Sequence, residues 1–137
     1  MTRERSTRGS RMRSLLSGLG MALAALCASS HAHGQKATEQ YIPIGQSPGV
    51  SQKYSSIGEV ADVNPAAQTV TIADPAGPRT VRITEKTRIW LDRTKLKQTN
   101  VPGRFADLQK GRRVEVKYAD PERRDVAEWV KVEISQP

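Results

Sequence analysis

The sequence predicts an all-β domain, a small antiparallel barrel of OB or SH3-like type with about six short strands and one helical turn before the fifth. Three observations lead there. Past Ile57 the apolar residues recur mostly at every second position, as in Val70-x-Ile72, Val81-x-Ile83 and Val114-x-Val116, which is the period of a strand with one buried face. Clusters rich in Pro, Gly, Asn and Asp separate these runs, each supplying turn chemistry. The patterned stretch, 57–135, is short, and a domain of that size buries only roughly 60% of its extended-chain surface. Closing the sheet on itself removes exposed edges and encloses a Val/Ile core.

The elements follow in order. Ile57-Gly58-Glu59-Val60-Ala61-Asp62-Val63 is the first strand; its valines fall out of phase around Gly58, so a bulge or sharp coil is expected. Asn64-Pro65-Ala66-Ala67 reverses the chain, and Gln68 to Asp74 returns with Val70 and Ile72 inward. Asp74-Pro75-Ala76-Gly77-Pro78 is a strong turn, since Pro presets φ and Gly tolerates positive φ. Arg79 to Thr84 points Val81 and Ile83 inward, and Thr87 to Leu91 sets Ile89 and Leu91 on one face against Arg88 and Trp90 on the other. Asp92 to Arg104 is a long polar connection with Arg93, Lys95, Lys97 and Arg104. Phe105-Ala106-Asp107-Leu108 reads as one helical turn, capped by Asp107 and stopped at Gly111. Arg112 to Ala119 alternates Val114, Val116 and Tyr118 with Arg113, Glu115 and Lys117, and Val126 to Ile134 closes the domain with Val130, Val132 and Ile134 inward.

The N-terminal region reads differently. Residues 1–32 run from an Arg-rich start through the apolar stretch Leu15 to Ala28 to small residues ending Ser30-His31-Ala32. That order is a secretory signal peptide, and the apolar stretch falls short of the roughly 20 residues that span a bilayer. Cleavage is expected after Ala32, with Ser30 as the alternative. The chain is therefore expected in the periplasm or outside the cell, with no membrane span. Cys27, the one cysteine, lies inside this leader without a lipoprotein context; the exported chain is therefore expected to carry no thiol, disulfide or lipid anchor. Whole-chain charge is +8, but the leader holds five Arg and one Glu, which leaves +4 for the exported part. That is only a mild bias toward anionic partners. Residues 33–56 are rich in Gly, Ser, Gln and Pro without an apolar period, and read as a flexible tether. Tyr41-Ile42-Pro43-Ile44 is its one stretch able to dock as an edge segment, with Pro43 barring a central strand.

The strand motifs carry a resemblance. Gly58-x-Val60-x-x-Val63, Val70-x-Ile72, Val81-x-Ile83 and Thr87-x-Ile89 set the first half. Phe105-x-Asp107-Leu108-x-x-Gly111-x-x-Val114-x-Val116 and Ala127-x-x-Val130-x-Val132 set the second. Residues 57–134 resemble a bacterial exported family known as domain of unknown function number 5666. The resemblance implies a small β-barrel of the cell envelope and carries over no catalytic residue. Glu128-Trp129 in the closing strand departs from the family's plainer pattern.

Function is narrowed mainly by exclusion. No histidine follows His33 and there is no Gly-x-Ser-x-Gly, so Ser-His and Cys-His catalysis lack their parts. Glu115 and Glu133 alternate with Arg113, Lys117 and Lys131, which reads as a solvated sheet face with cross-strand ion pairs. No enzyme and no cofactor is expected. Trp90, Trp129, Arg88 and Lys131 share the face opposite the core stripe and are the candidate ligand-binding residues, because aromatics beside basic groups suit OB-type binding faces. The expected function is a non-enzymatic interaction module for another envelope protein. The alternatives are a polyanion or glycan-binding barrel, and Cu(II) or Ni(II) held at the mature N-terminus. Cleavage after Ser30 would supply an amine, two amides and the His33 imidazole beside His31, a square-planar nitrogen set. An anionic envelope polymer is the expected polymer partner rather than nucleic acid.

Overall fold

A computed structural model describes residues 38–136. The leader, residues 33–37 and both histidines, His31 and His33, lie outside the described residues. Seven strands make one mixed sheet: β1 Ser55–Asn64, β2 Thr69–Asp74, β3 Gly77–Arg82, β4 Arg88–Asp92, β5 Val101–Pro102, β6 Arg113–Tyr118 and β7 Ala127–Glu133. Two 3₁₀ turns, Thr94–Leu96 and Phe105–Asp107, sit in the long connection. The order is β3-β2-β1-β6-β7-β4-β5. The domain is all-β as expected, with two corrections to the strand plan.

The first correction is strand number. Val101–Pro102 pairs antiparallel with β4, so the helical turn at Phe105–Asp107 precedes the sixth strand rather than the fifth. The second is direction: β4 runs parallel to β7, with Trp90 opposite Lys131 and Leu91 opposite Val132. The link between β3 and β4 is a single turn, closed by the Thr87 N–H on the Thr84 carbonyl at 3.0 Å without any Gly, Pro, Asn or Asp. It carries the chain off β2 and onto β7 rather than back along β3. Arg82 bridges Val126 in parallel at the bend, and the Thr87 hydroxyl donates to the Ala127 carbonyl at 2.7 Å. Backbone pairing thus passes from β3 to β7 as well as through β2, β1 and β6.

The bend in β1 has a matching cause. Its first half pairs with β6 and its second with β2, and the register slips between Val60 and Asp62. That is the bulge the out-of-phase valines predict. Gly58 sits at the crossover, where an added Cβ would lie 2.2 Å from the Ala73 carbonyl oxygen. Inside the curled sheet Val60, Val70, Ile72, Val81, Val114, Val116, Val130 and Val132 are buried together. Leu108 completes this core and Phe105 packs on it, so the 3₁₀ turn plugs the sheet. The Asp107 carboxylate accepts from the Arg104 N–H at 2.7 Å, and Gly111 follows at φ +84°.

Tyr118 lies in the core near one end of the sheet, with the Arg79 and Arg124 guanidinium carbons 5.9 and 5.7 Å from its ring centre. Burial pushes its phenol above the ordinary value of 10.0. The Ser56 hydroxyl beside Asp74 holds that carboxyl below its ordinary 3.8, helped by the Ala76 N–H, Arg79 and Arg124.

Two predictions follow from this packing. Gly58→Ala drives a methyl into backbone and is expected to destabilise by about 1–3 kcal/mol, read as a lower urea midpoint with the β-sheet circular dichroism retained. Stability depends on pH at both extremes. The lowered Asp74 carboxyl contributes stability above its unfolded value of 3.8, and this is lost as pH falls through the folded value. The raised Tyr118 phenol contributes below 10.0, and this is lost as pH climbs through the folded value. Asp74→Asn should flatten the acid limb and Tyr118→Phe the alkaline limb of the urea midpoint against pH.

Candidate functional site

The site is the outer face of β4, β7, β6 and β1. Strand geometry sends alternate side chains outward, and the register aligns them in cross-strand rows. Trp90 stands opposite Lys131, Lys131 opposite Glu115 and Glu115 opposite Ile57. The neighbouring row carries Arg88, Trp129, Lys117 and Ser55. Three of the four predicted binding residues therefore meet: the Trp90 and Trp129 ring centres are 5.9 Å apart at a 43° tilt, and the Lys131 ammonium sits 4.6 Å from the Trp129 ring centre. A desolvated contact of that kind is worth about 2 kcal/mol. Arg88 is exposed at the rim.

The face is on the predicted side of the sheet, but it is not open. Trp90 is 6% exposed, Trp129 3%, Lys131 1% and Glu115 0%. Residues 38–54, expected as a tether, cross this face as a strap. They are a succession of turns, with backbone bonds such as Tyr41 N–H to Thr38 C=O, Gln46 N–H to Pro43 C=O and Tyr54 N–H to Val50 C=O. Turn-rich composition gives this segment no period, so its docking rests on individual contacts. Ile44 is buried and supplies the apolar anchor, from within the stretch singled out as able to dock. It docks through a turn, the Gln46 N–H on the Pro43 carbonyl at 3.1 Å, rather than as an edge strand.

The polar contacts are specific. The Ile44 N–H donates to Asp92 Oδ2 at 2.9 Å, and the Gly45 N–H to Glu115 Oε2 at 2.7 Å. The Ser51 and Ser55 hydroxyls both donate to Glu115 Oε1 at 2.7 Å. Lys131 Nζ donates to Glu39 Oε2 at 3.0 Å and to Ser47 Oγ at 2.8 Å, and the Ser47 hydroxyl donates to Glu39 at 2.7 Å. Gln40 and Asn100 exchange two bonds at 3.0 and 2.9 Å. The other Asp92 oxygen accepts from the Thr94 N–H at 3.0 Å and from the Thr94 hydroxyl.

Buried charges are retained only where such partners meet them. The solvated face of paired charges expected for Glu115 and Lys131 is therefore corrected: both are sealed, and each bonds to the strap. The expectation holds further out. Glu133 pairs with Lys95 at 2.8 Å and Arg113 at 3.2 Å, and Lys117 pairs with Glu128. Sequence reading missed Asp92, Glu115, Glu39 and Ser47 as site residues. The available signal was a Trp-x-Lys pair and a lone Glu on one sheet face, opposite a segment carrying isolated Ile and Ser.

The arrangement presents carboxylate oxygens to backbone N–H groups and an ammonium to a carboxylate, beside two buried indoles. Among the described residues no three His, Cys, Asp or Glu side chains are grouped to hold a metal ion, and no helix is long and apolar enough to cross a membrane. A separate cleft of about 320 Å³ lies past the end of β7, lined by Glu59, Arg112, Arg113, Glu133 and Ser135.

No family model matches the chain, and no curated protein matches it. Among solved structures it is similar to the Cu(II) form of a tryptophan-to-alanine variant of CusF from Escherichia coli, at 14% identity over 58% of this chain and 89% of that one, with a TM-score of 0.41. It is also similar to the Ag(I) form of CusF, at 15% identity over 57% and 93%, with a TM-score of 0.40.

Glu115 is the test of the strap contact. Glu115→Gln replaces one carboxylate oxygen with an NH₂ that faces donors, so a buried bond is lost at about 1–3 kcal/mol. The expected result is faster hydrogen exchange at the strap amides and a red-shifted tryptophan emission, with β2 amides still protected.

Proposed function

We propose that this chain is an exported, non-enzymatic binding module of the bacterial cell envelope that takes a polypeptide segment across its β4–β7–β6 face. One observation carries the reading: that face already holds a polypeptide, the chain's own strap, through backbone N–H groups on Asp92 and Glu115. The finer fold reading is an OB-type barrel. A three-strand meander, a parallel junction at Arg82 and Val126, and a hairpin of β6 and β7 returning to β1 support it. Export rests on the leader, and the resemblance of residues 57–134 to the exported family belongs to the same proposal. The absence of any histidine after His33 supports a non-enzymatic role.

The runner-up is an anionic polymer or glycan bound by the basic rim. In the structure Lys95 is committed to Glu133 and Arg93 bonds Gln98, so the loop offers fewer free cations than its sequence implies. The discriminating experiment titrates the exported chain carrying Glu39→Gln with a synthetic peptide spanning residues 38–54, and separately with a sulfated glycan, following tryptophan emission. Saturable peptide binding that changes little between low and high salt is expected. Glycan binding with a steep salt dependence, and none by the peptide, would replace this reading with the runner-up.

A further inference from the structure

We infer that the strap is a pseudo-ligand. It keeps the β4–β7–β6 face closed in cis and is displaced in trans by a segment that presents a carboxylate to Lys131 and, a few residues on, an aliphatic side chain. The inference rests on the polypeptide-binding reading above and adds the ligand's chemistry and its regulation.

The ligand chemistry is read from what the strap itself supplies. Glu39 provides the carboxylate, 3.0 Å from a Lys131 ammonium that is otherwise held by the Ser47 hydroxyl and the Trp129 ring. Five residues later Ile44 provides the buried aliphatic group. Between and after them the Ile44 and Gly45 N–H groups donate to carboxylates, and Gln40, Ser47 and Ser51 add side-chain bonds to Asn100, Lys131 and Glu115. The carboxylate and the aliphatic position are the charged and apolar anchors among these contacts.

Exchange rather than permanent closure follows from how the strap is held. Across residues 38–54 Ile44 is the one buried large apolar side chain, so the strap itself contributes little hydrophobic area and the apolar cost of its departure falls on the two indoles beneath it. The segment joins β1 through Gln52, a non-glycine residue at φ +67°, a conformation that L-residues adopt at some strain. The strap cannot simply leave, because Lys131, Glu115 and Asp92 would lose partners in a face built to exclude water. A vacated face demands another occupant offering the same groups. A cis occupant lowers the apparent affinity for that second segment by the fraction of time the face is open.

The test uses the exported chain as wild type, as Glu39→Gln and as Ser47→Ala. Each is titrated with a labelled peptide of residues 38–54 and with the same peptide carrying Glu39→Gln, read by anisotropy, with hydrogen exchange on the unliganded proteins. The expected result is a Kd at least about tenfold tighter for both variants than for wild type, faster strap exchange in both, and loss of binding by the Glu39→Gln peptide. Protected β2 and β6 amides confirm that the fold persists, and Ser47→Ala serves as the milder lesion if Glu39→Gln unfolds. Equal Kd values for all three proteins would overturn the latch while leaving peptide binding in place. Fast strap exchange with no peptide bound by any protein would overturn the polypeptide reading itself. Equal affinity for both peptides would overturn the carboxylate requirement.

Discussion

The outer face depends on one constraint: a lysine and two carboxylates are buried on a sheet surface, and their bonding partners come largely from residues 38–54. Glu115 is fully buried and accepts two bonds from the strap, from Gly45 and Ser51, and a third from Ser55 at the start of β1. Lys131 is 1% exposed and donates to Glu39 and Ser47. Such groups are expensive to desolvate and pair strongly once dry. They therefore specify where the strap lies more sharply than an apolar face would. The two indoles flank this arrangement and make it spectroscopically visible.

The sheet positions these groups through two bends. β1 turns at Gly58 and the Val60–Asp62 bulge, which lets one strand serve both β2 and β6. The chain bends again between Arg82 and Arg88, which transfers it from β2 to β7 rather than back along β3. That transfer makes β4 parallel to β7 and sets Trp90 against Lys131. Had the turn at Thr84–Thr87 folded β4 back along β3, Trp90 would not neighbour Trp129, and the aromatic pair would not exist.

Much of the sheet was legible from period and turn chemistry. The inward sets Val70/Ile72, Val81/Ile83, Val114/Val116 and Val130/Val132 are buried as read, because alternation directly reports a half-buried strand. The bulge in β1, the Asp107 cap and the left-handed Gly111 were also local signals. The parallel pair was less visible, since the turn at Thr84–Thr87 carries none of the usual turn residues and its sequence does not mark which strand β4 joins. Trp90, Trp129 and Lys131 were placed on the correct face, but their burial was not legible. A strap made of turns has no periodicity, and its backbone N–H groups leave no trace in side-chain identity. Glu115 and Lys131 read as solvated because alternating charge usually is. Only their enclosure distinguishes them from the exposed ion pair of Lys95 and Glu133.

The most direct measurement is native-state hydrogen exchange of the wild-type chain at the Ile44 and Gly45 amides, across a denaturant series. A strap that closes a binding face in cis should open at a free energy well below that of the β2 and β6 amides, and with a small denaturant dependence, as a local unit does. Exchange of Ile44 and Gly45 only through global unfolding, with the same free energy and denaturant slope as the core strands, would make the strap an inseparable part of the domain and contradict the account.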